Sequence, residues 1–261
     1  MNILDKILIH KRKEVNHRQE IFSAASLEKT TVFDRKTYSL ADSLLNNRPG
    51  IIAEFKRKSP SAGILNNMTD VKEVIKGYID SGAAALSVLT DYKFFGGSLQ
   101  DLEAARSQCS HPILRKDFII DDYQIIEAKA VGADAVLLIA EILTENQIRN
   151  FSRLATTLSM EVILEIHQAD QLVKLSDCIT IVGVNNRNLE NFKVKVNTSF
   201  ELASIIPDHF LRISESGISS PDIIRKLIDS GFQGFLIGEY FMKHDKPQNA
   251  CKELIENVLE K

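Results

Sequence analysis

From residue 51 onward the apolar and polar positions repeat as a unit: a short apolar run, a turn, an amphipathic stretch, then the next apolar run. The apolar runs are 51–56, 84–89, 112–115, 133–139, 161–165, 179–184, 210–214 and 234–237, eight in all. Most are near-continuous, the pattern of strands covered on both faces in a parallel sheet. After each run, stretches of helical character follow: 71–81, 99–108, 122–131, 145–157, 169–175, 198–204, 221–230 and 247–259. Gly82, Gly132 and Gly231 stand just past three of these stretches, where a helix commonly ends in a left-handed residue. Pro221, after Ser219 and Ser220, marks a helix start. Eight strand-then-helix units in 261 residues predict a closed parallel (β/α)8 barrel, the TIM-barrel class. The competing open, doubly wound sheet is disfavoured because no GxGxxG follows the first run.

About 50 residues precede the first strand. Ile3, Leu4, Ile7, Leu8 and Val15 recur there at roughly helical spacing, and a second helical piece is expected around 39–45. These predict an N-terminal helical extension, 1–50, that packs on the barrel and helps shape its pocket. The basic run HKRK at 10–13 reads as a solvated helix face. No low-complexity segment or linker divides the chain, so 1–261 is expected to form a single domain.

Apolar residues make up 44% and charged residues 26%, which suits a soluble globular protein with a sizeable core. The net charge of -3 supplies no global basic field for nucleic acid, so a small anionic substrate would need a locally positive pocket. Cys109, Cys178 and Cys251 are far apart and form no CxxC pair, as expected of thiols in a reducing compartment. Charges interrupt the apolar residues of the first twenty positions, unlike a secretory signal. The longest apolar run, near 135–143, contains Glu141 and is too short to span a bilayer. The expectation is a cytoplasmic protein, working as a monomer, with neither nucleic acid nor membrane as a partner.

In a (β/α)8 barrel, chemistry collects at the C-terminal ends of the strands. The first strand ends with Glu54 and Lys56, the third with Arg115, Lys116, Asp117 and Phe118, and the fifth with Glu165. The sixth delivers Asn185, Asn186 and Arg187, the seventh Ser214, Glu215, Ser216 and Gly217, and the eighth Gly238 and Glu239. Glu54 and Lys56 are two apart, so both point to one side of the strand while Phe55 faces the helices. Charges pointing into a partly dry barrel mouth pair or do chemistry. Glycines after strands 7 and 8, where helices begin, offer backbone N–H groups to a phosphate. No His/Cys/Asp cluster has metal-ligand spacing and no Ser sits in GxSxG. His167 lies on the same alternating face as Glu165 and is read as structural.

Six segments together resemble the indole-3-glycerol-phosphate synthase family: IIAEFKRKSPSAG (51–63), ILRKDFIIDDYQIIEAKAVGADAVLLIA (113–140), EVILEIH (161–167), VGVNNRNLENF (182–192), ISESGI (213–218) and FLIGEYFM (235–242). Lys58 is a mild variation, since many members carry a small residue near it. The resemblance runs through all eight strands and takes in the extension. It implies closure of an indole ring on 1-(2-carboxyphenylamino)-1-deoxyribulose 5-phosphate, a small phosphorylated substrate, with loss of CO2 and then water and no metal or organic cofactor. It implies Lys116 as the acid that protonates the ketone oxygen and Glu165 with Glu54 as the acid/base pair for dehydration. Lys56 either binds the anthranilate carboxylate or assists the dehydration. Asn185, helped by Arg187, orients the substrate hydroxyls, and Glu215 lines the pocket. Ser59, Ser216, Gly217, Gly238 and Glu239 match the phosphate site, the last two through backbone N–H groups. Phe95 and Phe118 provide the apolar walls for the aromatic ring. The readings set against this were another phosphate-binding barrel, such as a phosphoribosylanthranilate isomerase, and a non-catalytic barrel. The extension and Glu54 and Lys56 with Lys116 speak against the first, and the presence together of Lys116, Glu54 and Glu165 speaks against the second.

Overall fold

A computed structural model describes residues 2–66, 69–189 and 192–260. Eight parallel strands close into a barrel: β1 (Gly50–Phe55), β2 (Ala85–Leu89), β3 (Ile113–Lys116), β4 (Ala135–Ile139), β5 (Glu161–Ile166), β6 (Ile181–Asn185), β7 (Leu211–Glu215) and β8 (Gly234–Ile237). Each strand pairs with the next in the chain, and β8 closes on β1, with Ala53 opposite Ile237 on one side and Leu86 on the other.

The helices are α1 (Ile3–Ile21), α2 (Ala24–Leu27), α3 (Leu40–Asn46), α4 (Val71–Asp80), α5 (Tyr92–Phe95), α6 (Leu99–Arg106), α7 (Tyr123–Ala130), α8 (Glu145–Thr157), α9 (Asn197–Ala203), α10 (Pro221–Asp229), α11 (Glu239–Met242) and α12 (Pro247–Leu259). Local signals set several of their ends. A capping box between Thr144 and Gln147 starts α8, and proline stands in the first turn of α10 and α12. Gly82, Gly132 and Gly231 take φ of 90°, 92° and 91°, the left-handed helix ends read from the sequence.

The strands divide the core in two. Ile51, Ala53 and Phe55 point outward into the layer between barrel and helices, packed with residues such as Val74, Ile75 and Phe241. Ile52 points inward with Leu114, Leu137, Ile163, Ile181, Ile213 and Leu236 to fill the barrel axis. Two residues beyond Ile52, Glu54 therefore faces the barrel interior at its C-terminal end.

The extension reaches both ends of the barrel. Leu40 and Leu44 of α3 join the inner cluster at the floor, and Ser43 Oγ donates to Ala84 O at 2.6 Å. Leu4 and Ile7 of α1 join the same cluster at the opposite end, where they line the mouth. Between them the chain is tied to the barrel by Arg35–Asp134 at 2.6 Å and by Ser39 Oγ donating to Glu161 Oε1 at 2.7 Å.

Three features differ from the sequence reading. Segment 169–175 forms a 3-10 turn, Ala169–Lys174, and not a helix. Val173 is 73% exposed and only Gln171 is buried, so little burial supports an α-helix there. The loop after β1 contains a small antiparallel hairpin, Lys58–Ser59 against Gly63–Ile64. Lys11, read as part of a solvated face, is 1% exposed.

Candidate active site

The C-terminal ends of the strands surround a cavity of about 490 Å³. All fourteen residues singled out from the sequence line it: Glu54, Lys56, Ser59, Phe95, Lys116, Phe118, Glu165, Asn185, Arg187, Glu215, Ser216, Gly217, Gly238 and Glu239. They come from seven of the eight strand ends or the loops after them, because each strand stops at the same rim.

Lys116, the last residue of β3, projects across the mouth. Its Nζ stands 2.9 Å from Glu165 Oε2 at the end of β5 and 2.7 Å from Glu215 Oε2 at the end of β7. Both carboxylates are 1% exposed. Burial alone would lower the Lys116 pKa, but the carboxylates of Glu165, Glu215 and Glu54 raise it well above the ordinary lysine value, so the ammonium is kept. Glu165 is buried too, which by itself favours the neutral acid. The charges of Lys116 and His167, with hydrogen bonds from Lys116 and Asn185, overrule that and lower its pKa. Glu215 responds in the opposite sense: burial, with the charges of Glu165 and Glu54 adding to it, pushes its pKa up to about 7 despite Lys116. Two carboxyls on one ammonium thus differ in proton affinity, and Glu215 can exchange a proton near neutral pH. Its Oε1 is buried without a hydrogen-bond partner among the described residues.

Just past β1, Lys56 Nζ stands 2.6 Å from Glu54 Oε1, the same-side pair expected from the strand alternation. Gly238 makes room for it, since a Cβ there would run into the Glu54 carboxylate. Asn185 Oδ1 accepts from the Arg187 backbone N–H at 2.9 Å, which orients the amide that helps keep the Glu165 carboxylate ionised. His167 Nε2 lies 3.7 Å from Glu165 Oε1, behind the carboxylate and outside the cavity lining.

The other end of the cavity is built for an anion. Ser216 and Gly217 are both left-handed, with φ of 68° and 76°. A non-glycine residue held there stores about 1–3 kcal/mol of strain, which persists only where neighbours enforce it. Asn186 does so: its amide donates to Glu215 O at 2.9 Å and to Ser216 O at 3.1 Å. Gly238 leads directly into α11, whose first turn is the short helix N-terminus typical of phosphate sites in such barrels. Arg187 pairs with Glu239 at 2.8 Å and donates to Ser61 Oγ at 2.9 Å, joining three mouth loops. Lys243 pairs with the same Glu239 at 2.8 Å. Burial would raise the Glu239 pKa, but its bond to Lys243 and the charges of Arg187, Lys243 and Lys56 lower it. Arg187 and Lys243 against the single carboxylate of Glu239 leave this end positive.

Phe95 and Phe118 face each other with ring centroids 6.0 Å apart and wall the apolar side with Leu4 and Ile7. Sequence reasoning missed Lys243, named Asn186 at the end of the sixth strand without giving it a role, and assigned Glu215 only a lining role. Lys243 follows Glu239 at i,i+4 on α11, a spacing visible in the sequence once that helix is recognised. No sequence signal links Asn186 to the β7 turn. Among the described residues, no group of three or more His, Cys, Asp and Glu side chains could hold a metal ion.

Comparison with known proteins adds to this geometry. The family model described as "Indole-3-glycerol phosphate synthase" matches residues 4–254. An indole-3-glycerol phosphate synthase of Bacteroides thetaiotaomicron is 43% identical over 98% of this chain and 99% of its own length. One from Bordetella pertussis is 42% identical over 97% of this chain and 99% of its own. Among solved structures, a mutant tryptophan synthase alpha-subunit from Pyrococcus furiosus superposes with a TM-score of 0.60 at 14% identity, covering 82% of this chain and 98% of its own. A thiamine phosphate pyrophosphorylase from the same organism gives 0.59 at 14% identity, covering 82% and 99%. Likeness at that identity speaks for the barrel alone, whereas the full-length match to the synthases assigns the sequence: the chain belongs to the indole-3-glycerol phosphate synthase family.

Proposed function

We propose that this chain performs its family's reaction, formation of indole-3-glycerol phosphate in tryptophan biosynthesis, with the labour divided along the cavity. The single observation that carries the proposal is Lys116 held as an ammonium between Glu165 and Glu215 in the mouth. The substrate is 1-(2-carboxyphenylamino)-1-deoxyribulose 5-phosphate. Its phosphate occupies the positive end, against Ser59, Ser216, Gly217 and the backbone N–H groups of Gly238 and Glu239. Its aromatic ring lies against the apolar wall formed by Phe95 and Phe118. The length of the molecule then sets the ketone near Lys116.

The ring carbon that bears the carboxylate attacks the ketone carbon. As that bond forms, Lys116 gives a proton to the ketone oxygen. A substrate that enters between Lys116 and its carboxylates weakens the attraction holding the ammonium, which brings the proton closer to transfer. The bond to CO2 then breaks and its electrons restore the aromatic ring. Dehydration follows: one of Glu165 and Glu54 removes a proton while the other protonates the departing hydroxyl. Lys56, paired with Glu54, either holds the substrate carboxylate or assists this last step. Asn185 and Arg187 orient the hydroxyls. No metal or organic cofactor enters these steps.

The reaction is proposed to run in the cytoplasm on a monomer, with 1–261 as one domain and no membrane or nucleic acid as partner. No helix among the described residues is long and apolar enough to cross a membrane. Cys109, Cys178 and Cys251 are free. Incubating the protein with the carboxyphenylamino deoxyribulose phosphate should produce indole fluorescence. Absence of indole from a folded, substrate-binding protein would overturn the assignment and favour another phosphate-binding barrel.

A further inference from the structure

The lysine that interrupts the expected solvated face of α1 is the most enclosed cation of the extension. Lys11 Nζ lies 3.0 Å from Asp91 Oδ2, 2.9 Å from Asp117 Oδ1 and 3.0 Å from Glu14 Oε2. The lysine is 1% exposed, Asp91 0% and Asp117 3%. A buried ion pair is poor evidence of a stability device, because an apolar replacement of similar volume is often as stable. Its energetic character is geometric: two aspartates on different strand ends are held at one point by a residue from a third element.

What those aspartates hold is the aromatic side of the cavity. Asp91 caps α5: its Oδ1 accepts from the Phe94 backbone N–H at 2.7 Å, and α5 carries Phe95. Asp117 Oδ1, the oxygen that meets Lys11, also accepts from the Phe118 backbone N–H at 2.8 Å. Its Oδ2 takes Thr90 Oγ1 at 2.6 Å and Arg115 Nη2 at 3.1 Å. Asp117 is also the neighbour of Lys116. The network continues from Arg115 to Glu127 at 2.8 Å and back to α1 through Arg18 at 2.7 Å. Lys11 and Arg18 are seven apart, two helical turns, so one face of α1 makes both attachments. That same helix places Leu4 and Ile7 in the cavity.

We propose that Lys11 is a positioning residue: it pins α1 over the mouth and, through Asp91 and Asp117, sets the spacing of the two aromatic walls, Phe95 and Phe118. This rests on the reading that those walls hold the aromatic end of the substrate and that Ser216, Gly217, Gly238 and Glu239 hold the phosphate end. Lys11 touches neither end. Its loss should therefore loosen one end of the cavity and leave the other as it was.

The test separates the two ends with two competitors of turnover, anthranilate for the aromatic end and inorganic phosphate for the other. In Lys11→Met, the inhibition constant of anthranilate should rise at least roughly tenfold, about 1.4 kcal/mol of binding, while that of phosphate stays at the wild-type value. Lys11→Arg, which keeps a cation between the aspartates, should recover much of the anthranilate affinity. Asp91→Ala removes the α5 cap but leaves Lys11 paired with Asp117 and Glu14, so it should weaken anthranilate in the same selective way even if Lys11→Met does not fold. Equal loss for both competitors means general destabilisation and overturns the proposal. No change in either, in any variant that folds, overturns it as well. A wild-type protein that forms indole but is inhibited by neither competitor places the error in the assignment of the two ends and not in the role of Lys11. In that case amide exchange at Phe94 and Phe118 decides the pin itself, which fails if Lys11→Met or Lys11→Gln leaves both amides as protected as in the wild type.

Discussion

Replacing Lys116 with Met removes the ammonium that Glu165 and Glu215 share. Nζ stands 2.9 Å from one carboxylate oxygen and 2.7 Å from the other, so those oxygens are at most about 5.6 Å apart. Two unit charges at that distance repel by about 3 kcal/mol at an effective dielectric constant of about 20. Without the ammonium, one of the pair holds a proton at neutral pH. Glu215, whose pKa burial has already pushed up to about 7, is the one to do so. A carboxyl whose pKa is raised by folding binds its proton more tightly in the native state. Its contribution to stability falls as pH rises from the unfolded value of about 4.3 through the folded value, and stays lost above it. The variant should therefore be about 3 kcal/mol less stable than wild type near pH 8.5, with the difference shrinking toward pH 5. Against a typical total of about 5–15 kcal/mol it still folds. Its chemistry should suffer more: kcat should drop by ~10²–10⁴, the range for losing a general acid. Urea unfolding at both pH values reads the first effect, and indole fluorescence under saturating substrate reads the second. Turnover close to wild type with normal circular dichroism refutes the catalytic assignment. A stability difference independent of pH refutes the account of the shared charge.

Glu165→Gln should lower kcat far more than it raises KM, because the residue acts on steps after binding; steady-state kinetics showing an unchanged kcat with a raised KM would make it a binding group. Glu215→Gln should erase an inflection near pH 7 from the pH profile of kcat/KM, since the wild-type carboxyl titrates at about 7, and a profile that keeps the inflection assigns it to another group. Gly217→Val should raise KM at least roughly tenfold, about 1.4 kcal/mol, and abolish competition by inorganic phosphate. The residue has φ of 76°, and an added Cβ would run into Val194. A folded variant that phosphate still inhibits moves the anion grip elsewhere.

Much of the fold is written in the period of the sequence. Strand 234–237 and helices 145–157 and 247–259 fall at the positions read from the sequence, and the other barrel strands begin and end within two residues of them. The reason is local: two-sided burial demands a continuous apolar run, and caps such as Thr144 with Gln147 need only residues three apart. The strand alternation likewise placed Glu54 and Lys56 on one side, and strand ends placed Lys116 and Glu165 at the rim. The weaker segments depended on context. Residues 169–175 have helical character but too little burial to complete an α-helix. The hairpin after β1 is two residues per strand, below what any period reveals.

Tertiary structure alone decided which charges meet. Lys116 and Glu215 are 99 residues apart in the chain and 2.7 Å apart in space, so the shared ammonium and the split proton affinities of Glu165 and Glu215 have no counterpart in sequence spacing. Lys11 makes the point more sharply. In sequence it is one of four consecutive basic residues, 10–13, and the ordinary expectation is water around it. In the folded chain the barrel brings the ends of β2 and β3 together beneath α1, and two aspartates that would repel one another are joined there by that lysine. Periodicity reports which face of an element is covered, because burial acts residue by residue along the chain. Pairing of charges depends on which strand ends closure of the barrel makes neighbours, and that is fixed only when all eight strands have found their register.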